Sequence, residues 1–108
     1  MTTTDIVPNI EIPFQPYFKD TVRSGQKQMT SRTKRTAEVG DIFNAFGTYC
    51  QIVGVEQRPL WFIKSALYWY EGCQSPGAFE RTWCQIHQKA GWTPDKLVWV
   101  HSWRRIQL

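Results

Sequence analysis

The stretch Gly25-Gln26-Lys27-Gln28-Met29-Thr30-Ser31-Arg32-Thr33-Lys34-Arg35, followed by Gly40-Asp41, crowds cations and hydroxyls around a single apolar side chain, Met29. A core-building strand would show apolar alternation, so the segment reads as one kept for what it contacts rather than for what it buries. From Lys19 to Arg35 there are six cations (Lys19, Arg23, Lys27, Arg32, Lys34, Arg35) against one acid, Asp20, out of 13 Lys and Arg in the chain. Elsewhere the charges roughly balance. The bland alternative is a solvated basic loop.

Outward from this stretch toward the N-terminus, Gly25 marks the expected stop of a first helix. Pro16 suits its first turn, and Phe14, Phe18, Thr21 and Val22 fall near one face. Before it, Ile6 to Ile12 reads as a short strand interrupted by Pro8, and residues 1 to 5 as a frayed, disordered terminus. In the other direction Gly40-Asp41 signals a tight turn, more simply than a ligand site. The runs Asp41 to Phe46 and Tyr49 to Val55 then read as an antiparallel hairpin joined at Gly47-Thr48. Trp61 to Tyr70 has helical spacing of bulky residues (Leu60, Ile63, Leu67, Tyr70) and stops before Glu71-Gly72. Ser75-Pro76 supplies an N-cap and an N1 proline. Phe79, Trp83, Ile86 and Ala90 then recur at helical spacing, which predicts a helix over 76–90. Leu97 to Trp103 is a β-branched and aromatic closing strand. Strands and helices mixed without βαβ regularity predict one α+β domain spanning 1–108, built as a small β-barrel flanked by about three helices.

Composition fits that size. A chain of 108 residues suits one domain with a real core, and 42% apolar with 15% aromatic residues, six of them Trp, excludes a disordered chain. The net charge of +4 and its clustering favour a polyanionic partner. No apolar run approaches the roughly 20 residues needed to cross a bilayer, and the first residues are unlike a signal peptide. Three cysteines, Cys50, Cys73 and Cys84, cannot form a fully paired framework. A soluble, cytoplasmic protein is expected, with no membrane partner and a monomer favoured.

Gly25-x-Lys27-x-x-Thr30-x-Arg32, then Gly40-Asp41, Glu71-Gly72 ahead of a helix, and a final strand at Val98 to His101 together resemble the ASCH domain family in order and over nearly the whole chain. The resemblance implies a PUA-like β-barrel with a cleft facing the helices and a role in binding RNA or a modified nucleoside. Some small bacterial members are amidohydrolases that remove the acyl group from N(4)-acetylcytidine with a lysine, a threonine and a glutamate. Carried over on the shared spacing, these correspond to Lys27 and Thr30, with Glu71 as the best match for the glutamate. Gln28 departs from the threonine usual after that lysine, and the Lys34-Arg35 pair is denser than in those enzymes. The alternative is a non-catalytic RNA-binding module that uses the basic 19–35 stretch.

The residues themselves set the chemical demands. A threonine hydroxyl needs a base, and a lysine serves as one only when burial or nearby cations, here Arg23 and Arg32, destabilise its ammonium. Lowering a lysine pKa from about 10.4 to near 7 takes roughly 4 to 5 kcal/mol, which a cleft supplies and an open loop does not. In a regular strand positions 27 and 30 point to opposite faces, so Lys27 must sit in the turn after Gly25 or beside a bulge. Glu71 would protonate the leaving amine or orient Lys27, while Arg32, Lys34 and Arg35 would hold a carbonyl oxygen or phosphates. No cofactor is implied. Cys84-x-x-His87 with Cys73 makes an incomplete zinc set, and no acidic or His-rich cluster supports a nuclease. His101 alternates with Trp99 and Trp103, the pattern of a packed histidine. The tryptophans read mainly as core, with Trp61, Tyr68 and Trp69 near enough to Glu71 in sequence for one to line a cleft.

Overall fold

A computed structural model describes residues 7–106. A 3-10 turn at Pro16–Phe18 runs into helix α1 (Lys19–Ser24). Strands β1 (Met29–Arg32), β2 (Ile42–Ala45) and β3 (Thr48–Pro59) follow, then a short helix α2 (Leu60–Phe62) that widens into a π-helical turn over Ile63–Leu67. Helix α3 (Pro76–Ile86) and strand β4 (Leu97–Arg105) complete the chain. All neighbours pair antiparallel in the order β1-β4-β3-β2, so the last strand is inserted between the first strand and the β2/β3 hairpin. The sheet curls into a half-barrel flanked by helices, the α+β architecture expected.

Alternation along β4 explains why both faces of the sheet are covered. Val98 and Val100 belong to a core with Leu60, Ile63, Phe79 and Trp83, while Trp103, of opposite parity, belongs to one with Phe18, Val22, Phe43 and Ile52. The β3/β4 pairing steps from Ile52↔Trp103 to Gly54↔Ser102, a bulge that leaves Val53 half exposed.

Several boundaries differ from the sequence reading. Residues 7 to 15 form no strand. Pro8 and Pro13 lack donors, and the segment is tied down instead by the Asn9 and Ile10 N–H groups, both donating to the Ile42 carbonyl. Ile6 and the proposed frayed terminus at 1–5 lie outside the described residues. The hairpin turns at Phe46-Gly47 rather than Gly47-Thr48, with φ of +53° and +85°, the double left-handed turn that matches strand twist. Helix α3 starts as read, with Ser75 Oγ accepting from the Ala78 N–H at 3.1 Å. It ends at Ile86, because His87 leaves helical geometry and stacks on Trp83. Asp41 makes a turn: its carboxylate accepts from the Glu38 N–H and Asn9 Nδ2, which hold its pKa below the usual carboxylate value. Among the described residues no helix is long and apolar enough to cross a membrane.

Candidate functional site

Helix α1 stops at Gly25, whose φ of +88° lets its N–H cap the Val22 carbonyl. The chain then reverses. Lys27 N–H donates to the Thr21 carbonyl, and the N–H groups of Gln28 and Met29 donate to the Tyr70 carbonyl. Lys27 therefore lies in the turn after Gly25, ahead of β1, and its side chain is driven inward, leaving it 2% exposed. Nζ donates to the Glu71 carbonyl at 2.6 Å and the Met29 carbonyl at 2.9 Å, stands 3.9 Å from Glu71 Oε1, and sits 4.3 Å from the Phe18 ring centroid. Burial first of all lowers its pKa to about 8. The Glu71 carboxylate opposes the shift and Arg32 adds to it.

Glu71 reaches the same place from the other side of the molecule. After the π-helical turn, the N–H groups of Glu71, Gly72 and Cys73 donate back to Leu67, Trp69 and Tyr68, and Gly72 turns with φ +95°. A Cβ at Gly72 would stand 3.0 Å from Thr21 Oγ1 and 3.1 Å from Lys27 Cδ, so glycine is required there by conformation and by space. The Glu71 carboxyl is 5% exposed and accepts from Ser31 Oγ at 2.6 Å. Burial raises its pKa, against the pull of Lys27, the hydroxyl and backbone N–H of Ser31, and Arg32.

Both groups close the outer edge of β1. The Trp103 N–H donates to the Gln28 carbonyl, so antiparallel alternation turns the Met29 and Ser31 backbone groups away from β4. Lys27 takes the Met29 carbonyl, and Glu71 takes the Ser31 hydroxyl and lies near its N–H. The reading of this stretch as one kept for contacts rather than for burial is thus corrected: Lys27, Thr30 and Ser31 are buried, because helix α1 and the Glu71 turn fold over an edge strand whose polar groups they satisfy.

A cavity of about 480 Å³ opens at this edge, within the range of small-molecule sites. Lys27, Thr30, Glu71, Arg32 and Lys34 all line it, so the proposed catalytic three share one cleft. Thr30 Oγ1 is 3.4 Å from Arg32 Nε, while Arg32 also donates to the Pro13 carbonyl and lies over the Phe14 ring. Arg23 and Arg35 are placed elsewhere. Arg23 Nε donates to the Phe46 carbonyl, and Arg35 pairs with Glu38 and lies over Trp99. The aromatic walls are Phe14 and Phe18 from one core and Phe79 and Trp83 from the other, not Trp61, Tyr68 or Trp69. The part these four aromatics play as cleft walls, and Ser31, escaped sequence reading. The available signal for Ser31 was its place beside Thr30 on a strand with polar residues on both faces. His101 is fully buried, with Nε2 accepting from the Thr36 N–H, and burial lowers its pKa, as suits a packed histidine. Among the described residues no three His, Cys, Asp or Glu side chains gather as a metal site.

Three solved structures share this fold. The hypothetical protein PH0355 superposes with a TM-score of 0.65 at 14% identity, over 89% of this chain and 97% of its own. An ASCH domain from Lactobacillus crispatus JV V101 gives 0.61 at 12% identity, over 82% and 70%. The chain has an ASCH-like fold. A protein from Enterococcus faecalis V583, EF3133, gives 0.59 at 17% identity, over 83% and 67%. At these identities the likeness is one of fold. No protein-family model matches the sequence, and no curated protein matches it. Within the ASCH-like fold the cleft sits between the edge of β1, the Glu71 turn and α3.

Proposed function

We propose that the cleft binds a modified nucleoside, free or within RNA, and that Lys27, Thr30 and Glu71 hydrolyse its N(4)-acyl amide. The observation that carries this reading is the buried Lys27 amine, lowered to about 8, facing Glu71 in a cavity that Thr30 also lines. At pH 7 about a tenth of such an amine is neutral and able to accept a proton. Neutral Lys27 takes the Thr30 proton, and the alkoxide attacks the acyl carbonyl. Arg32, beside Thr30 Oγ1, stabilises the oxyanion. The cytosine amine leaves with a proton from the Lys27 and Glu71 pair, and water then cleaves the threonine ester to release acetate and restore the hydroxyl.

The test begins with acetate release from N(4)-acetylcytidine by the unmutated protein. Lys27→Met and Thr30→Val should each abolish it, since the two act as a unit. Glu71→Gln should slow turnover and leave binding nearly intact. An unmutated protein that binds the nucleoside without releasing acetate would refute the reading. It would favour the non-catalytic RNA module instead, for which Lys34 at the cleft is the supporting feature.

A further inference from the structure

Ser31 follows the proposed nucleophile, and strand alternation turns its side chain to the face opposite Thr30. Both side chains line the one cleft because the cleft wraps around the edge of β1. The Ser31 hydroxyl donates to Glu71 Oε2 at 2.6 Å, the length of a charge-assisted O–H···O⁻ bond, and the nearby Ser31 backbone N–H also favours the charged carboxyl. The other oxygen, Oε1, is left toward Lys27 Nζ at 3.9 Å, beyond direct hydrogen-bond reach. Among the described residues Ser31 makes the direct side-chain hydrogen bond to Glu71.

We propose that Ser31 is a positioning residue: its hydroxyl holds Glu71 in one rotamer as the carboxylate, with the free oxygen presented to the Lys27 amine. Its part in turnover rests on the amide-hydrolysis reading, whereas its hold on Glu71 stands on the geometry. The other groups facing Glu71 cannot substitute for it. Lys27, from the segment before β1, acts across 3.9 Å. Arg32, on β1, is committed to the Pro13 carbonyl and Thr30. Cys73, two residues beyond Glu71, would repel the carboxylate if ionised, but burial keeps its thiol protonated. Without the hydroxyl, Glu71 stays buried and loses a donor that favours its charged form, so it should hold its proton to higher pH.

The test is a carbon-detected NMR titration of the Glu71 side-chain carboxyl, assigned with Glu71→Gln, in the unmutated protein, Ser31→Ala, Ser31→Cys and Ser31→Thr. Ser31→Ala and Ser31→Cys should raise the Glu71 midpoint by about one pH unit or more, and Ser31→Thr, which keeps the hydroxyl, should restore it. Ser31→Cys preserves shape without a strong donor, so it carries the same prediction if Ser31→Ala fails to fold. In an active enzyme Ser31→Ala and Ser31→Cys should lower kcat/KM and Ser31→Thr should restore it. A merely structural serine would lower Tm and leave the midpoint in place. Midpoints within about two tenths of a unit of the unmutated protein, or a Ser31→Thr shift as large as that of Ser31→Ala, overturn the proposal. A shifted midpoint in a protein that releases no acetate refutes the hydrolase reading and upholds the hold of Ser31 on Glu71.

Discussion

Lys27→Met removes the buried ammonium while keeping a stem of similar length beside the Phe14 and Phe18 rings. Burial lowers the Lys27 pKa from 10.5 to about 8, so at neutral pH the folded protein holds this charge at a cost of about 3 kcal/mol. Methionine lifts that cost. It also deprives the Glu71 carboxyl of the cation at 3.9 Å, and a group whose pKa burial already raises is raised further. The sign follows from proton counting. Above the ordinary glutamate value the folded variant binds a proton at Glu71 that the unfolded chain has lost, so stability falls with rising pH by about 1.4 kcal/mol per unit until the folded pKa is passed. Between pH 5 and pH 7 Lys27→Met should therefore lose up to about 3 kcal/mol relative to the unmutated protein. Urea denaturation at pH 5, 6 and 7 measures this, with Lys27→Met/Glu71→Gln as the control that lacks the titrating group and should track the unmutated protein or lie flatter. A Lys27→Met destabilisation that is constant with pH within about 0.5 kcal/mol would refute the coupling of the two residues.

Gly72→Ala forces a side chain into φ +95° and against Thr21 and Lys27, so denaturant unfolding should show a loss of about 1–3 kcal/mol; an unchanged midpoint would contradict the close packing of the Glu71 turn on Lys27. If neutral Lys27 is the base, kcat/KM should climb with pH and level off above about 8, and Lys27→Arg should be inactive throughout; an optimum on the acid side counts against that role. If the basic stretch contacts phosphate, Lys34→Ala and Arg35→Ala should weaken RNA binding and flatten its salt dependence by about one released ion per lost contact. The effect should be larger for Lys34, which lines the cleft, than for Arg35, which pairs with Glu38.

How far the fold could be read depended on how local its causes were. Ser75-Pro76 fixes the start of α3 through a cap three residues long, and the Leu97 to Trp103 run fixes β4 by composition, so both are visible in sequence. The end of α3 was not, because it turns on His87 stacking against Trp83 rather than on a breaker residue. The order β1-β4-β3-β2 pairs the first strand with the last, a pairing no short window contains. The site follows the same division. The resemblance pointed to Lys27, Thr30 and Glu71, and the residues alone demanded that Lys27 lie in the turn after Gly25 or beside a bulge; it is found in the turn. Phe14, Phe79 and Trp83 read as core because they are core. Their second use, as walls of the cleft, appears only once two separate clusters meet at the edge of β1. Arg23 and Arg35 counted toward the basic stretch by proximity in sequence, but helix α1 and the Glu38 pair direct them elsewhere.

The Lys27 and Glu71 pair also bears on whether this edge is merely sealed or equipped for chemistry. Closing a strand edge requires one donor for the Met29 carbonyl and an acceptor for the Ser31 donors, and neutral amide or hydroxyl side chains provide both without burying charge. An ammonium and a carboxylate do the same work while each is displaced by burial toward its neutral form, at a cost of about 3 kcal/mol for the lysine alone. Stability alone gives no reason for that choice, since an apolar or neutral replacement of a buried pair is often as stable or more so. A reason does exist beside a cavity of about 480 Å³ that contains a threonine hydroxyl and a guanidinium. There, an amine lowered to about 8 and a carboxyl that can exchange protons with it are what the proposed amide hydrolysis would use.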